Sequence, residues 1–234
     1  MYFKNLGVQV QVPGILNGVD MSDVYFDYDD FQKCPVTAED YTLTQATQGT
    51  MALSAGADNG VLLLDSNSST TQQGANMQRI ASSFTPKAGR TIWFEARVKV
   101  ADTGTLATAG EIFVGLSAIN TAIIASSAVA VAANNFIGFS SVTDNGVLLS
   151  NCCKVAANET GTGTTIAEDT WVTLGFKVNG VTDVVFYVNG VPVATQDSSD
   201  YIPIVALAPS FVMQSSGTTD PIMHIDYWMC MQTR

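Results

Sequence analysis

The stretch at residues 171–195, WVTLGFKVNGVTDVVFYVNGVPVAT, decides the fold. In residues 172–178 apolar side chains alternate with Thr, Gly and Lys, and this period of two places them on one face of a β-strand. A second run of this kind, residues 183–188, follows, and a third begins. Asn-Gly pairs stand at both connections, at 179–180 and 189–190, and this pair tolerates the positive φ angles of a type I′ hairpin turn. The stretch therefore predicts two antiparallel strands and the start of a third.

Two further segments have the pattern of central strands. Residues 91–100, TIWFEARVKV, alternate strictly, which predicts a strand with an apolar inner face and a charged outer face. Its outer residues are Trp93, Glu95, Arg97 and Lys99. Residues 222–231, IMHIDYWMCM, are largely apolar at odd and even positions alike, so we expect a strand covered on both faces. Strict alternation would place His224, Asp226 and Trp228 on the same face of that strand.

The rest of the chain is a series of short apolar runs separated by turn residues, as expected for the strands of a sandwich. We predict such strands at 24–31, 41–64, 111–116, 136–140, 147–155 and 206–214. The polar segments 65–78 and 158–165 are predicted to be loops. About a dozen strands without helical periodicity predict an all-β fold, an antiparallel β-sandwich of the jelly-roll type.

The beginning of the chain does not follow this pattern. Residues 1–21 alternate weakly and contain two turn pairs, Pro13-Gly14 and Asn17-Gly18, so we expect an extended N-terminal arm. Residues 22–234 then form a single β-sandwich domain. The arm lies either across its own sandwich or on a neighbouring subunit. The Ala-rich residues 117–136 are predicted to be a loop that forms a patch between subunits or plugs one end of the sandwich.

The composition limits the partners of this chain. Of its 234 residues, 47% are hydrophobic and only 13% are charged, and the net charge is −11. Nucleic acid is not expected as a direct partner, because phosphate contacts need clustered Lys and Arg. No apolar run reaches the ~18 residues of a membrane span, and the first residues do not resemble a signal peptide. With so few charges, the surface is covered by small polar residues or is partly buried against other chains.

The sequence contains few residues that bind metals. It has no C-x-x-C pair and a single histidine, so a structural zinc site is not expected. We expect four free thiols in apolar surroundings. The cysteines are Cys34, Cys152, Cys153 and Cys230. If two of them bonded, the pair would be Cys34 and Cys230. The acidic segment 24–31, VYFDYDDF, could bind calcium, but an edge strand with solvated acids is the preferred interpretation because the calcium-loop motif is missing.

No constellation of catalytic residues stands out. Asp226 follows His224 by two positions and could orient its imidazole, but no nucleophile stands in a G-x-S-x-G turn. Asp27 and Asp29 have the spacing of a carboxylate pair, yet they lie where an edge strand is expected. We therefore assign no catalytic, cofactor-binding or metal-binding residue and no cofactor, and we expect a protein that is not an enzyme.

Several motifs follow one another in a characteristic order. They are YFDYDDF at 25–31, WFEARVKV at 93–100, FVGL at 113–116, the hairpin stretch at 171–190 and Ile-Asp-Tyr at 225–227. This order resembles the concanavalin A-like (laminin-G-like) jelly-roll family over residues 22–232. The resemblance implies the fold but not the function, since this fold carries lectins, glucanases and structural shells. The glucanase branch is marked by an E-x-D-x-x-E strand, which this sequence lacks.

The low charge, the loops rich in Ser, Thr, Ala and Gly and the N-terminal arm are similar to the decoration (cement) proteins of tailed bacteriophages. This resemblance implies a non-enzymatic virion structural protein, made in the host cytoplasm, that binds the outside of a capsid and stabilises it. Its partners would be the major capsid protein and copies of itself, as a trimer, without direct contact with nucleic acid or membrane. The alternative is a carbohydrate- or receptor-binding module of a phage tail or fibre, in which Trp93 or Tyr201 would stack on a surface glycan.

Overall fold

The structure of this chain is a computed structural model. It describes residues 23–35, 38–46, 48–57, 60–67, 69–70, 73–101, 110–123, 135–141, 146–155, 157–217 and 219–234. These residues form fifteen β-strands and no α-helix. Within the same ranges, no helix is present that could reach across a membrane.

The strands follow one another along the described part of the chain. They are β1 (Val24–Asp29), β2 (Tyr41–Ala46), β3 (Thr50–Leu53), β4 (Leu62–Asp65), β5 (Gly74–Arg79), β6 (Thr91–Ala101), β7 (Glu111–Ser117), β8 (Phe136–Ser141), β9 (Val147–Lys154), β10 (Ala157–Thr165), β11 (Val172–Asn179), β12 (Asp183–Val188), β13 (Val191–Gln196), β14 (Ala208–Gln214) and β15 (Ile222–Thr233). The two longest, β6 and β15, have 11 and 12 residues and pair with each other.

The strands form two antiparallel sheets. The first sheet has the order β13-β12-β11-β6-β15-β4-β3, and β1 also pairs with β15. The order of the second sheet is β10-β9-β8-β7-β14-β5-β2. A single core cluster contains buried aromatic residues of both sheets, among them Phe94, Phe176, Phe186, Phe139 and Phe211. The antiparallel β-sandwich predicted from the sequence is therefore confirmed.

The stretch that decides the fold forms β11, β12 and β13, but its two turns differ. Asn189 and Gly190 have φ angles of 51° and 76°, as a type I′ turn requires. Asn179 instead belongs to the ladder, where it pairs with Asp183, and the positive φ of 64° falls on Gly180. The prediction of a tight Asn-Gly turn is therefore correct for the second connection and wrong for the first, which needs a longer turn to keep this register.

Both polar segments that were predicted to be loops contain strands, so the prediction is wrong for residues 74–78 of the first segment and for the second segment. β5 lies in the first of them and buries Asn76 and Gln78. The Asn76 side chain donates to the Asn120 carbonyl at 2.8 Å, and the Gln78 side chain accepts from the Asn120 N–H at 2.8 Å. β10 lies in the second segment, at the edge of its sheet, where a Cβ on Gly163 would lie 2.2 Å from Val147. In β5 nonlocal hydrogen bonds thus accompany the apolar burial of Ala75 and Met77, and in β10 glycine allows close packing.

Strand β15 contains a bulge that the alternation in the sequence does not reveal. Its pairing with β6 shifts between Ile225 and Tyr227, so Asp226 is the extra residue. Before the bulge Ile225 is buried in the core, and after it Trp228 is fully buried there. The prediction that Trp228 shares a face with His224 is therefore wrong, because the bulge changes which residues point inward.

Two predictions concern residues outside the described ranges. The N-terminal arm, residues 1–21, lies outside them entirely, so the domain division at residue 22 stays a prediction. Of the segment 117–136, residues 124–134 also lie outside. The described part before them lies against the second sheet, where Ile123 is buried with Phe113 and Val212.

The four cysteines are free thiols, as expected, but their surroundings differ. Cys152, Cys153 and Cys230 are buried, whereas Cys34 is exposed. A bond between Cys34 and Cys230 is not formed, since one lies in solvent and the other in the core. The prediction of apolar surroundings is therefore wrong for Cys34, which lies beyond the end of β1.

Candidate functional site

The outer face of the first sheet carries a connected group of charged and aromatic side chains. The outward residues of β6 include Arg97 and Lys99, as the alternation predicts. Arg97 forms an ion pair with Asp226, the bulge residue of β15, at 2.5 Å. Lys99 forms one with Asp169 at 2.6 Å. The bulge thus turns a carboxylate toward a neighbouring guanidinium, and both cations of β6 are neutralised locally.

Trp171, which precedes β11, lies at the centre of this group. The Arg97 guanidinium lies 4.7 Å and the Lys99 ammonium 5.5 Å from the centre of its ring. His224 meets the same ring edge-on, with 6.4 Å between the centroids. Burial, followed by the charge of Lys99, lowers the pKa of His224, which is therefore neutral at pH 7. The only histidine of the chain packs against Trp171 and does not form the His-Asp pair considered from the sequence.

Glu95 of β6 and Tyr227 of β15 form the next pair on this face. The Tyr227 hydroxyl donates a hydrogen bond of 2.7 Å to Glu95 Oε1. Burial raises the pKa of Glu95, and the hydrogen bond from Tyr227 opposes that effect. Burial and the neighbouring Glu95 raise the pKa of Tyr227 well above its usual range. The Glu95 carboxylate therefore accepts a hydrogen bond from Tyr227, whose hydroxyl stays protonated.

Strand β1, at the margin of this face, exposes aromatic side chains and turns its carboxylates inward, which is the opposite of β6. Its outward aromatic residues, Phe26 and Tyr28, are 44% and 46% exposed. Its carboxylates, Asp27 and Asp29, point inward and are partly buried. A half-buried strand normally places apolar residues inward and charges outward. β1 reverses this arrangement.

Polar partners inside the sandwich hold the two carboxylates of β1. The Trp228 indole N–H donates to the Tyr41 hydroxyl at 2.7 Å, and that hydroxyl donates to Asp29 Oδ2 at 2.9 Å. Arg79 forms an ion pair with Asp27 at 3.2 Å. Because Tyr41 and Arg79 belong to the second sheet, these contacts join the two sheets at one end of the sandwich.

The exposed rings of β1 continue onto β15. The rings of Phe26 and Tyr28 are 6.3 Å apart and nearly parallel, at 13°. Tyr227 lies 6.4 Å from Tyr28, at an angle of 38°. The residues paired with Phe26 and Tyr28 on β15 are Met231 and Met229, both buried. We call Phe26, Tyr28 and Tyr227 the aromatic platform.

Three carboxylates lie close enough to the Tyr28 phenol to influence it. Burial and the nearby carboxylates of Asp30, Asp226 and Asp29 raise the pKa of Tyr28 to about 12. Each of these carboxylates disfavours a second negative charge on the phenol oxygen. A ligand that carries negative charge would be disfavoured at Tyr28 for the same reason.

The acids considered from the sequence do not come together in one site. Asp27 binds Arg79, Asp29 binds Tyr41, Glu95 binds Tyr227 and Asp226 binds Arg97. Among the described residues, no group of three His, Cys, Asp or Glu side chains is placed to bind a metal ion. The arrangement provides ion pairs and ring contacts. A small open cavity beside β1 is lined by Asp27, Glu39 and Asp40, and Arg79 forms ion pairs with Asp27 and Asp40 there.

The aromatic residues considered for sugar stacking are not the exposed ones. Trp93 packs against Val24 and Met231, with the Lys177 ammonium 5.9 Å from its ring centre, and Tyr201 packs against the core. The exposed rings are those of Phe26 and Tyr28, which sequence reasoning assigned to an acidic edge strand. The signal was present in the alternation of aromatic and acidic residues in VYFDYD, but the sequence does not show which set points outward.

Comparison with known proteins places this arrangement in a family. Residues 58–226 match the family model described as "SO2946-like, C-terminal domain". The chain belongs to the SO2946-like family. A search of curated protein sequences found no significant match.

Solved structures similar to this SO2946-like chain share its fold. The protein of unknown function SO2946 from Shewanella oneidensis MR-1 superposes with a TM-score of 0.61 and 15% identity, over 90% of this chain and 87% of that one. An endo-1,3-β-glucanase from Streptomyces sioyaensis gives a TM-score of 0.59 and 13% identity, over 92% and 99%. Peanut lectin gives 0.58 and 13%, over 90% and 97%.

These similarities establish the fold of the SO2946-like chain and leave its chemistry open. Glucanases and a lectin are both present among proteins of this concanavalin A-like jelly-roll architecture. At such low identity the shared fold carries no information about activity. The function has to be argued from the side chains.

Proposed function

We propose that this SO2946-like chain is a non-enzymatic virion structural protein that binds the outside of a bacteriophage capsid as a decoration subunit. Its partners in this role are the major capsid protein and further copies of the chain, arranged as a trimer. It would be made in the host cytoplasm and would lie on the outer capsid surface, without direct contact with nucleic acid or membrane.

The pairing of charged side chains on the outer face of the first sheet carries this proposal. Arg97, Lys99, Glu95 and Asp226 each bind a neighbour on the same face. Such pairs stiffen a surface and reduce the cost of covering it, because their charges are already compensated. Together with a composition in which only 13% of residues are charged, this favours a surface made for contact with other proteins.

The surroundings of the basic side chains favour a protein partner over nucleic acid. Arg79, Arg97 and Lys99 each form an ion pair with a carboxylate of the chain. Phosphate binding would have to compete with these carboxylates, and the net charge of −11 repels a polyanion. This supports binding to a capsid protein and not to the genome inside.

The engaged carboxylates also support a non-enzymatic role. Retaining glycosidases place two carboxyl groups about 5–5.5 Å apart, and inverting ones about 6.5–9.5 Å apart, around the sugar bond. Here Glu95 accepts from Tyr227, and Asp226 is bound by Arg97. We expect no hydrolysis of β-glucans by the purified chain in a reducing-end assay. Hydrolysis that disappears in Glu95→Gln or Asp226→Asn would contradict this proposal.

Particle association tests the capsid role directly. The chain would be expressed with the capsid genes of the virus or prophage that encodes it, and the particles purified on a density gradient. We expect the chain at a fixed ratio to the major capsid protein, and particles with the chain should disassemble at a higher temperature than particles without it. Purified particles that contain no copies of the chain would refute the proposal.

A carbohydrate- or receptor-binding module of a phage tail or fibre is the second candidate. The exposure of Phe26 and Tyr28 favours it, because large exposed aromatic residues mark binding surfaces. The same virions separate the two candidates after mild dissociation. A decoration subunit stays with the capsid shells, whereas a tail or fibre module is found with the tails.

A further inference from the structure

Strand β1 exposes the residues that a strand normally buries. A shift of one residue in its pairing with β15 would turn Phe26 and Tyr28 inward and the two carboxylates outward. The observed register is instead held by Asp29 bound to Tyr41, by Asp27 bound to Arg79 and by Tyr25 packed inward on Phe84. Because burial of aromatic rings is favourable, a register that exposes them points to a role in binding.

Two exposed rings lie next to each other on β1. Phe26 and Tyr28 follow one another along a single strand with nearly parallel rings, and Tyr227 adds a third ring beside them. The face of an aromatic ring is electron-rich, and the axial C–H groups of a pyranose carry partial positive charge, so sugar rings stack on such faces. Two rings along one strand offer positions for two neighbouring sugars of an extended glycan.

Hydrogen-bonding groups border these rings. The Arg97–Asp226 ion pair and the Tyr227–Glu95 pair lie on the same face. A guanidinium has five N–H donors and a carboxylate about four acceptor sites, so each group can bind a hydroxyl and still keep its partner. Polar groups around nearly parallel rings match a polyhydroxylated ligand better than the apolar side chain that anchors a protein interface in a pocket.

The acidic groups near Tyr28 select among sugars. Burial and the carboxylates of Asp30, Asp226 and Asp29 raise the pKa of Tyr28 to about 12, and these carboxylates would also repel uronic acids, sialic acids and sulfated sugars. We propose that the aromatic platform is a binding site for a neutral polysaccharide, with Phe26 and Tyr28 stacked on two successive sugar rings. Arg97, Asp226 and Glu95 bind the hydroxyl groups at its border.

This site goes beyond the proposed capsid function, because it acts in the isolated chain whichever part of a virion carries it. Stacking on two rings gives weak binding to a single chain. Many copies on one particle would convert weak contacts into firm attachment, since linked sites act at high effective concentration. A decorated particle would then adhere to neutral surface polysaccharides.

Saturation-transfer NMR on the full chain tests the site. The probes are neutral hexasaccharides of glucose, mannose and galactose, with a galacturonic acid hexamer as the anionic counterpart. We expect transfer from aromatic protons to the axial C–H groups of a neutral probe and none to the anionic one. Phe26→Ala and Tyr28→Ala should each weaken the binding measured by calorimetry by about tenfold or more.

Ile204→Ala is the matched control, because Ile204 is also an exposed apolar residue but is not part of the platform. It should bind as the unchanged chain does, and circular dichroism should show that all three variants are folded. The proposal is overturned if no neutral probe binds, if the anionic hexamer binds better, or if binding survives both Phe26→Ala and Tyr28→Ala. Loss of particle association in these two variants without any sugar binding would identify a protein interface instead. A positive result with the sugars stands even where the capsid test fails.

Discussion

Strands β1 and β6 belong to the same sheet, and they present opposite chemistry on its outer face. β6 buries Phe94 and turns Glu95 and Arg97 outward, as hydrophobic burial dictates. β1 turns Phe26 outward and Asp27 inward. Burial of apolar side chains therefore sets the orientation of the central strand β6. The orientation of β1, at the margin of the sheet, depends on specific partners inside the sandwich.

The difference shows how a few hydrogen bonds can set the register of a strand. The inward carboxylates of β1 are placed opposite Arg79 and Tyr41, and a buried carboxylate that loses such a partner is costly. In β6 no such partner is needed, because Phe94 stacks on Phe176 with 5.0 Å between the ring centroids. The platform exists because these polar contacts, together with Tyr25 packed inward on Phe84, set the orientation of β1.

The largest expected effect compares one phenylalanine from each strand. Phe94→Ala leaves a cavity between the sheets and should lower the free energy of unfolding by about 3–5 kcal/mol. Phe26→Ala removes an exposed ring and should change it by no more than about 0.5 kcal/mol. Urea unfolding of both variants measures the contrast. Similar losses in the two variants would show that Phe26 is part of the core and that the comparison is wrong.

The polar network beneath β1 should give the next effect. Tyr41→Phe removes the hydroxyl that accepts from Trp228 and donates to Asp29, leaving both groups without this partner. We expect a loss of about 1–3 kcal/mol in the free energy of unfolding, the cost of an unsatisfied buried polar group. Tyr28→Phe is the control, since the Tyr28 side chain is 46% exposed and is not part of this network, and its change should be small. Equal changes would mean that the network does not hold β1.

The potential at the platform can be measured through Tyr28. Burial and three neighbouring carboxylates favour its neutral form, so its pKa should be about 12 and not 10.0. The stability that Tyr28 contributes is present below pH 10 and is lost as the pH rises through about 12. The difference in tyrosinate absorbance between the unchanged chain and Tyr28→Phe isolates this group, and Asp30→Asn should lower its pKa. If the tyrosinate absorbance of Tyr28 instead appears near pH 10, the neighbouring carboxylates do not raise its pKa.

The smallest expected effect concerns the pKa of His224, which packs against Trp171 beside β6. Because His224 is the only histidine, the Hε1 proton of its imidazole gives a single signal in proton NMR. Its pKa should lie below 6.5, so the stability it contributes is present above pH 6.5 and is lost as the pH falls through the lower, folded-state value. Lys99→Met should raise this pKa, because it removes a positive charge. Lys177→Met, beside Trp93, is the control. A pKa above 6.5 would contradict this account.

Strands with one apolar and one polar face could be predicted from the sequence. β6, β11 and β12 were found because their alternation is strict and their partners are neighbours in the sheet. β5 and β10 could not be predicted, because the contacts that stabilise them involve residues that are distant in the sequence. Asn76 and Gln78 can be buried because residues distant in the sequence bind them. Asn120, more than forty residues later, bonds both, and Ala118 and Ser210 accept from the Gln78 amide.

The candidate site could be predicted only in part. Arg97 and Lys99 were correctly placed outward, since alternation fixes the face of a central strand. The bulge at Asp226 and the orientation of β1 depend on distant partners, Arg97 for the first and Arg79 and Tyr41 for the second. Pattern reasoning assigns the apolar set of a strand to the inside, and for that reason it missed Phe26 and Tyr28.

The single exposed thiol makes the chain convenient for microscopy. Burial raises the pKa of Cys152 and of Cys230 well above the usual range, and Cys153 is also buried, whereas Cys34 lies in solvent just after β1. Since the thiolate is the reactive form, a maleimide dye would attach at one position of the unaltered chain. Stepwise photobleaching would then count the copies of the chain in any assembly that contains it.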